Sequence, residues 1–367
     1  MNRETSLYLD LIRFVASMVV FLGHVAGERF TGGLFWQLGA YMDDAVIVFF
    51  VLSGFVISYV VGKSESGMEE FAIARSARIY SVALPALCLT FIFDFLGIHL
   101  NGQLYSAEWG YQHQDSAWQF FSGLVFLNEF WMAPVPVGSM LPYWSLAYEV
   151  WYYVLFAALY FARGMSRILA VIVVCAIAGP KILVLFPLWL LGYCTYIFSA
   201  RKSFPVHLGC LLFISSIVGY MLHRVYFHEM LSAHAGLSTD IFAENFLSRY
   251  VVAVLFALHL AGFVWASPLI GKYLNRWAAG IRWLAGATFT IYLMHLPVAQ
   301  FFTTIVPWAP SDWRTRVVLI AGTFICVLII ANFTERRKQV WLGLIRKIYE
   351  VYWKSRMSVI RLKAQDS

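Results

Sequence analysis

Apolar segments about as long as a bilayer is thick recur along the whole chain. A helix of about 20 apolar residues can cross the hydrocarbon core, and a helix is the only open-ended structure that satisfies its own backbone polar groups in lipid. The pattern predicts about ten spans, at residues 7–26, 40–61, 79–98, 143–161, 167–179, 181–198, 206–222, 250–267, 283–306 and 317–334. The fifth and sixth are separated only by Gly179-Pro180, so one of them could be re-entrant. The predicted fold class is all-α, a polytopic membrane helix bundle.

Composition excludes an ordinary soluble domain. Of 367 residues, 61% are hydrophobic and only 13% are charged, whereas soluble domains average about 25% charged residues. The first apolar segment contains polar groups and lacks a clear cleavage site, so we expect it to remain as an anchor and not to act as a signal peptide. All five cysteines lie in apolar stretches without ligand spacing, which predicts neither a disulfide framework nor a metal site.

Lysine and arginine set the predicted orientation. With the N-terminus inside, the inner segments carry 20 Lys and Arg and the outer segments carry six. Positive residues accumulate on the cytoplasmic side of membrane proteins. We therefore predict that both termini are cytoplasmic. The net charge of +7 then reflects topology and contact with membrane lipid, and does not indicate nucleic acid as a partner. The predicted division is a membrane domain at 1–334 and a basic amphipathic tail at 335–367 on the inner surface.

Two predicted outer loops, at about 99–142 and 223–249, are long, and the first is rich in tryptophan and tyrosine. Exposed aromatic rings there could stack on sugars. They could equally form the aromatic belt that membrane proteins place at the lipid interface.

The first span carries charged and ionisable groups on one face. At about 100° per residue, Asp10, Arg13, Ser17 and His24 fall along the same side of a helix, and Arg13 and His24 are about 16 Å apart along its axis. Ionisable groups within a span usually face a bundle interior or a polar cavity. The stripe is therefore a candidate functional site, although short polar stripes can also serve to join helices.

A pair of arginines lies on the predicted cytoplasmic side of the third span. Arg75 and Arg78 are three residues apart and hence neighbours on a helix. Guanidinium groups bind phosphate bidentately, so the pair suits a phosphorylated ligand. The alternative is the ordinary basic flank of a span.

Two further ionisable residues lie within predicted spans. Glu149 enters the fourth span in Trp144-Ser-Leu-Ala-Tyr-Glu149, followed by Tyr152. A carboxylate there could orient an imidazole or a sugar hydroxyl, or could simply be solvated. His295 precedes Pro297, and a proline can free backbone groups toward a cavity. By depth, Glu149, His24 and His295 could meet in the outer half of the membrane.

Taken together, the motifs resemble membrane acyltransferase family 3, whose members O-acylate polysaccharides, glycolipids and other acceptors. The resemblance runs from about Tyr8 to Asn332. It rests on the segments Leu9-Asp-Leu-Ile-Arg13 with His24, Phe49-Phe-Val-Leu-Ser-Gly-Phe55, Arg75-x-x-Arg78-Ile79, Trp144-Ser-Leu-x-x-Glu149-x-x-Tyr152 and Tyr292-Leu-x-His295. Two positions depart from the family pattern: a single Glu149 stands in place of an acidic pair, and Ser81 stands where proline is common.

The resemblance implies acyl transfer from acyl-CoA, most often acetyl-CoA, to a hydroxyl of a cell-envelope saccharide or glycolipid. It implies catalytic roles for Arg13, His24 and Glu149, and a CoA-associated role for Arg75 and Arg78. We expect His24 to act as general base or as nucleophile, and Glu149 to polarise His24 or to hold the acceptor. Asp10, Ser17, Trp144, Tyr152 and His295 are the remaining candidate binding residues.

Acyl-CoA is expected as a co-substrate, with no permanently bound cofactor. The rival function is a transporter of a glycan or small solute, because intramembrane His, Arg and Glu suit a carrier equally well. The absence of an evident internal repeat argues mildly against a carrier.

Overall fold

The fold is described from a computed structural model that covers residues 1–65, 67–109, 111–113, 115–131, 133–201, 204–234 and 246–365, with the backbone alone at 109, 232–234 and 352–365. These ranges form helices and turns without a strand. The α-helices are α1 Arg3–Val25, α2 Glu28–Thr31, α3 Met42–Val61, α4 Met68–Asn101, α5 Ser116–Leu124, α6 Tyr143–Phe161, α7 Gly164–Arg201, α8 Val206–Leu222, α9 His228–His234, α10 Phe246–Ile270, α11 Ala278–Ala285, α12 Thr288–Ile305, α13 Trp313–Val317, α14 Thr323–Phe333 and α15 Lys338–Gln365. Short 3₁₀ segments lie at Trp36–Tyr41, Gly102–Leu104, Ala107–Trp109, Gly271–Trp277 and Glu335–Arg337, and π turns lie at His223–Phe227 and Val318–Gly322.

The all-α prediction is confirmed, and the molecule is a multi-pass membrane protein. Within the described ranges, seven helical stretches are long and apolar enough to cross a membrane: Arg3–Val25, Trp36–Val61, Met68–Leu104, Gly164–Arg201, Val206–Leu231, Phe246–Ala285 and Trp313–Val351. The shorter helices α6 and α12 are not among the seven, and α7 is counted once. The number of about ten spans and the cytoplasmic location of the termini stay predictions.

Helix α7 is broken at Gly179, whose φ of 77° and ψ of 171° are not helical. Beyond the break, α7 runs alongside α6 in the same direction, since Tyr152 packs on Phe186 and Phe156 on Tyr193 at 5.5 and 5.3 Å between ring centroids. The chain must therefore return along residues 164–178 between the two. This geometry fits the prediction of two separate segments on either side of Gly179.

Helices α3 and α7 approach closely through two glycines. A Cβ atom added at Gly54 would lie 1.9 Å from the carbonyl oxygen of Trp189, and one added at Gly192 would lie 1.9 Å from that of Val51. Small residues allow helix backbones to meet in this way in membranes. The contact places Ser53, on the adjacent position of α3, against the indole of Trp189.

The bundle has two ends. What we call the N-terminal face holds the start of α1 and the end of α10, joined by a 2.8 Å hydrogen bond from Asn2 to Ser267. The opposite end, the distal face, holds the loops near Asp43 and Arg249, whose charges are 2.9 Å apart. The predicted loop at 223–249 lies on the distal face, but its residues 235–245 lie outside the described ranges.

Candidate functional site

A cavity of about 340 Å³ opens between α1, α3, α4, α6 and α12 on the side of the N-terminal face. Five cations and three carboxylates line it, so its formal charge is positive. They are Arg13, Arg78, Arg282, Arg336 and Lys338, with Asp10, Glu149 and Glu335. Of the sequence-predicted site residues, the cavity therefore collects Asp10, Arg13, Arg78 and Glu149.

Arg13 and Arg78 are the two cations set deeper in this cavity. Arg13 lies 3.7 Å from Asp10, one helical turn earlier on α1, and its side chain is only 18% exposed. The guanidinium of Arg78 makes no hydrogen bond or ion pair with any residue in the described ranges. Its N–H groups are therefore available to an anionic ligand, in a cavity that also holds the carboxylates of Asp10, Glu149 and Glu335.

Arg75 does not share this position, contrary to the expected phosphate-binding pair. Its guanidinium forms an ion pair with Glu65 and lies 5.9 Å from the ring centroids of Phe71 and Tyr153. The reason is the helical geometry of α4. A step of three residues leaves the two side chains about 60° apart around the helix axis, and over that angle Arg75 pairs with Glu65 while Arg78 lines the cavity.

Glu149 belongs to a hydrogen-bonded network at the cavity wall. Its Oε1 atom accepts from the Ser53 hydroxyl at 2.7 Å and from the Tyr153 hydroxyl, and the Ser53 oxygen in turn accepts from the Trp189 indole at 3.1 Å. The network immobilises one carboxylate oxygen. Oε2 makes no hydrogen bond within the described part of the chain and so can accept from a ligand.

His24 and His295 meet in the structure. The Nε2 atom of His295 lies 3.2 Å from the Nδ1 atom of His24. His295 is fully buried. Both histidines lie outside the cavity lining, but Tyr292, one turn before His295 on α12, is part of it. The expected meeting of these two imidazoles is observed, whereas Glu149 contacts Ser53 and Tyr153 in place of His24.

Backbone carbonyls determine the protonation of this pair. His295 Nδ1 lies 2.8 Å from the Ile291 carbonyl, and His24 Nδ1 lies 2.9 Å from the Val20 carbonyl. A carbonyl can only accept, so each Nδ1 carries the proton. The single Nδ1–H of His24 is then shared between the Val20 carbonyl and His295 Nε2, and the lone pair of neutral His24 is on Nε2. A neutral imidazole with an available lone pair can act as a general base.

Three other predicted residues lie outside this cavity. The Ser17 hydroxyl donates to the Phe14 carbonyl at 2.8 Å on its own helix. Tyr152 is fully buried and its hydroxyl has no partner among the described residues. Trp144 lines a second cavity near the distal face.

Glu335 is the main site residue that sequence reasoning missed. Its carboxylate accepts from the backbone amides of Phe289 and Thr290 at 3.3 and 3.0 Å, and from the Thr290 hydroxyl at 3.1 Å. Glu335 therefore caps the N-terminus of α12, where a carboxylate is favoured, and also lines the cavity. The sequence feature that could have pointed to Glu335 is its place as a single acidic residue at the end of the last apolar segment, beside Arg336 and Arg337.

Within the described ranges, no three His, Cys, Asp or Glu side chains come together as a metal site. The five cysteines are free thiols.

A family model described as an acyltransferase domain, that of acyltransferase family 3, matches residues 6–332. A Bacillus subtilis (strain 168) protein named "Putative peptidoglycan O-acetyltransferase YrhL" is 22% identical over 353 residues, covering 86% of this chain and 53% of that protein. The chain thus spans about half the length of this curated relative. No solved structure matches the chain.

Proposed function

Because this chain belongs to acyltransferase family 3, we propose that it transfers an acyl group from acyl-CoA to a hydroxyl of a cell-envelope saccharide. The single observation that carries the proposal is the positive cavity in which the Arg78 guanidinium makes no hydrogen bond or ion pair with the described residues. The name of the Bacillus relative favours acetyl as the acyl group and peptidoglycan as the saccharide.

The cavity suits the phosphorylated end of CoA. Arg282 and Lys338 are exposed at its mouth, and Arg78 and Arg13 lie deeper. Arginine binds phosphate through paired N–H groups, so Arg78 would hold a phosphate while Arg13 guides the donor inward. Tyr292 brings the cavity wall within one helical turn of His295, about 5 Å along α12.

In the proposed reaction, His24 Nε2 removes the proton of the acceptor hydroxyl as that oxygen attacks the thioester carbonyl. The carbon–sulfur bond then breaks, and the departing thiolate takes the proton from His24. His295 keeps the His24 proton on Nδ1 throughout. A nucleophilic role for His24 would replace the first step with acyl transfer to Nε2.

We place the protein in the bacterial plasma membrane with both termini and the Arg78 cavity on the cytoplasmic side. The count of basic residues supports this orientation. The donor would then be taken from the cytoplasm, and the acceptor would be modified toward the outer face.

The deciding experiment measures acetyl-CoA turnover and acetyl transfer to solubilised peptidoglycan strands by the purified protein. We expect His24→Ala to abolish transfer, and Arg78→Ala to raise the KM for acetyl-CoA about tenfold, the loss of roughly one charged hydrogen bond. His99→Ala and Arg167→Ala, both exposed in the structure, are the matched controls. Wild-type turnover by His24→Ala would refute the proposed role, and solute flux independent of CoA would favour a carrier.

A further inference from the structure

A second cavity, of about 500 Å³, lies near the distal face between the loop before α6, the start of α6, the second segment of α7 and the start of α10. The loop is anchored by several hydrogen bonds. The Val135 amide donates to the Asn128 carbonyl at 2.7 Å, and the Trp151 indole donates to the Phe126 carbonyl at 2.9 Å. These hydrogen bonds hold the loop that forms one wall of the cavity in place.

Polar side chains without partners converge on this cavity. Glu129, Trp144, Tyr148 and Lys181 line it, and none of their side chains makes a hydrogen bond or an ion pair with a described residue. Asn128 Oδ1, which belongs to a residue only 1% exposed, is also unpartnered. Buried polar groups in folded proteins are normally satisfied, so the buried Asn128 Oδ1 indicates a polar ligand. The polar groups of Glu129, Trp144, Tyr148 and Lys181 face the same cavity and are available to that ligand.

The side chains that line this cavity are of the chemical types that bind a saccharide. Trp144 and Tyr148 offer aromatic surface together with an indole N–H and a phenolic hydroxyl. Glu129 and Asn128 supply acceptors for sugar hydroxyls, and Lys181 supplies a donor. A cavity lined by aromatic rings with a few polar groups is the usual form of a small-ligand site.

The two cavities share a wall. Ser145, Leu146 and Glu149 of α6 line the first cavity, whereas Trp144 and Tyr148 line the second. The ring of Phe50 also lines the first cavity. It lies 6.5 Å from the Trp144 ring and 6.3 Å from the Tyr148 ring, measured between centroids. The two cavities are separated by helix α6 and by the ring of Phe50.

We propose that the distal cavity is the acceptor site, in which Trp144 packs on a saccharide ring and Glu129, Asn128 and Lys181 bind its polar groups. The inference rests on the proposed acyl transfer and adds where the acceptor binds. Acceptor and donor then enter from opposite faces and are separated only by Phe50 and the first turns of α6.

The test uses the purified full chain, with acetyl-CoA as donor and soluble peptidoglycan glycan strands as acceptor. We expect Trp144→Ala to raise the acceptor KM about tenfold and to leave the KM for acetyl-CoA within twofold. Trp313→Ala, on a 71% exposed tryptophan, is the matched control.

A second test uses a variant that keeps the Trp144 ring in place. Lys181→Cys is treated with a charged methanethiosulfonate reagent, and wild type and Ser311→Cys are treated in parallel as controls. We expect modification to abolish transfer to the strands while the affinity for CoA, measured as a dissociation constant, stays within twofold. We also expect the strands to slow the modification.

Unchanged transfer after complete modification of Lys181→Cys would overturn the acceptor site, as would equal loss of transfer and of CoA binding. A wild-type protein that cleaves no acetyl-CoA would instead overturn the proposed function itself. The two failures are thus distinguishable.

Discussion

At the scale of single residues, the contact between His24 and His295 has the clearest chemical consequence. The Ile291 carbonyl fixes the proton on His295 Nδ1, and His295 Nε2 then faces the Nδ1–H of His24 at 3.2 Å. In the proposed reaction, His295 acts through His24 and is a positioning residue, which keeps Nε2 of His24 unprotonated and oriented.

Replacing His295 tests this relation. We expect His295→Leu to lower kcat for acyl transfer about 10²-fold, the lower range for loss of a general base, with little change in the KM for acetyl-CoA. His295→Gln, whose amide oxygen can still accept, should recover part of the rate. Nitrogen-15 NMR of histidine-labelled protein reports the tautomer directly. A proton on Nε2 of His24 in the wild type would contradict the assignment.

Glu129 should make acceptor binding depend on pH. Burial raises its pKa to about 7, and nearby Lys181 opposes that rise; Arg249 and Tyr148 also line the same cavity. Glu129 is therefore protonated at pH 6 and ionised at pH 8. Because a carboxylate accepts hydrogen bonds more strongly than a neutral acid, we expect the acceptor KM to fall about fivefold over this range, equivalent to about 1 kcal/mol. Glu129→Gln should abolish the dependence, and a persisting slope would exclude Glu129 as its source.

At the scale of secondary-structure elements, the contact between α3 and α7 is the least tolerant of change. The backbone carbonyl of Trp189 lies where a Cβ of residue 54 would be, and helix backbones cannot yield as a flexible side chain would. We expect Gly54→Ala to destabilise the protein by about 3 kcal/mol, at the upper end for overpacking. Thermal unfolding in detergent measures the loss. Gly280→Ala, in α11 with no atom within 4 Å of the added Cβ, should be neutral or slightly stabilising. Equal stability of both variants would show that α3 and α7 can separate.

The local sequence predicts where a helix begins and ends better than it predicts which residues contact one another. The predicted spans at 143–161 and 206–222 coincide with α6 and α8, because apolar content and flanking prolines or glycines mark their ends. Helix α4 begins 11 residues before its predicted span, at Met68. A hydropathy criterion ends a span at the polar flank, whereas the helix continues through Arg75 and Arg78.

At the scale of the whole molecule, two cavities lined by polar groups lie on opposite sides of α6. The first holds five cations and the hydrogen-bonded network of Glu149. In the second, the side chains of Glu129 and Lys181 and the Oδ1 atom of Asn128 make no hydrogen bond or ion pair with the described residues. The predicted tail also contributes to the first cavity, because Glu335, Arg336 and Lys338 line it. The predicted boundary at residue 334 therefore does not separate the tail from the site.

By itself, the amino-acid sequence determined the all-helical membrane architecture, the shared face of Arg13 and His24, and the resemblance to the acyltransferase family. These depend on hydropathy, helical periodicity and motif order, which are local properties of the chain. Only the tertiary structure decided that His24 meets His295, 271 positions away, that Arg78 faces the cavity while Arg75 pairs with Glu65, and that Glu335 caps α12. Those contacts depend on how the helices pack and rotate against one another, which no repeat within a single helix encodes.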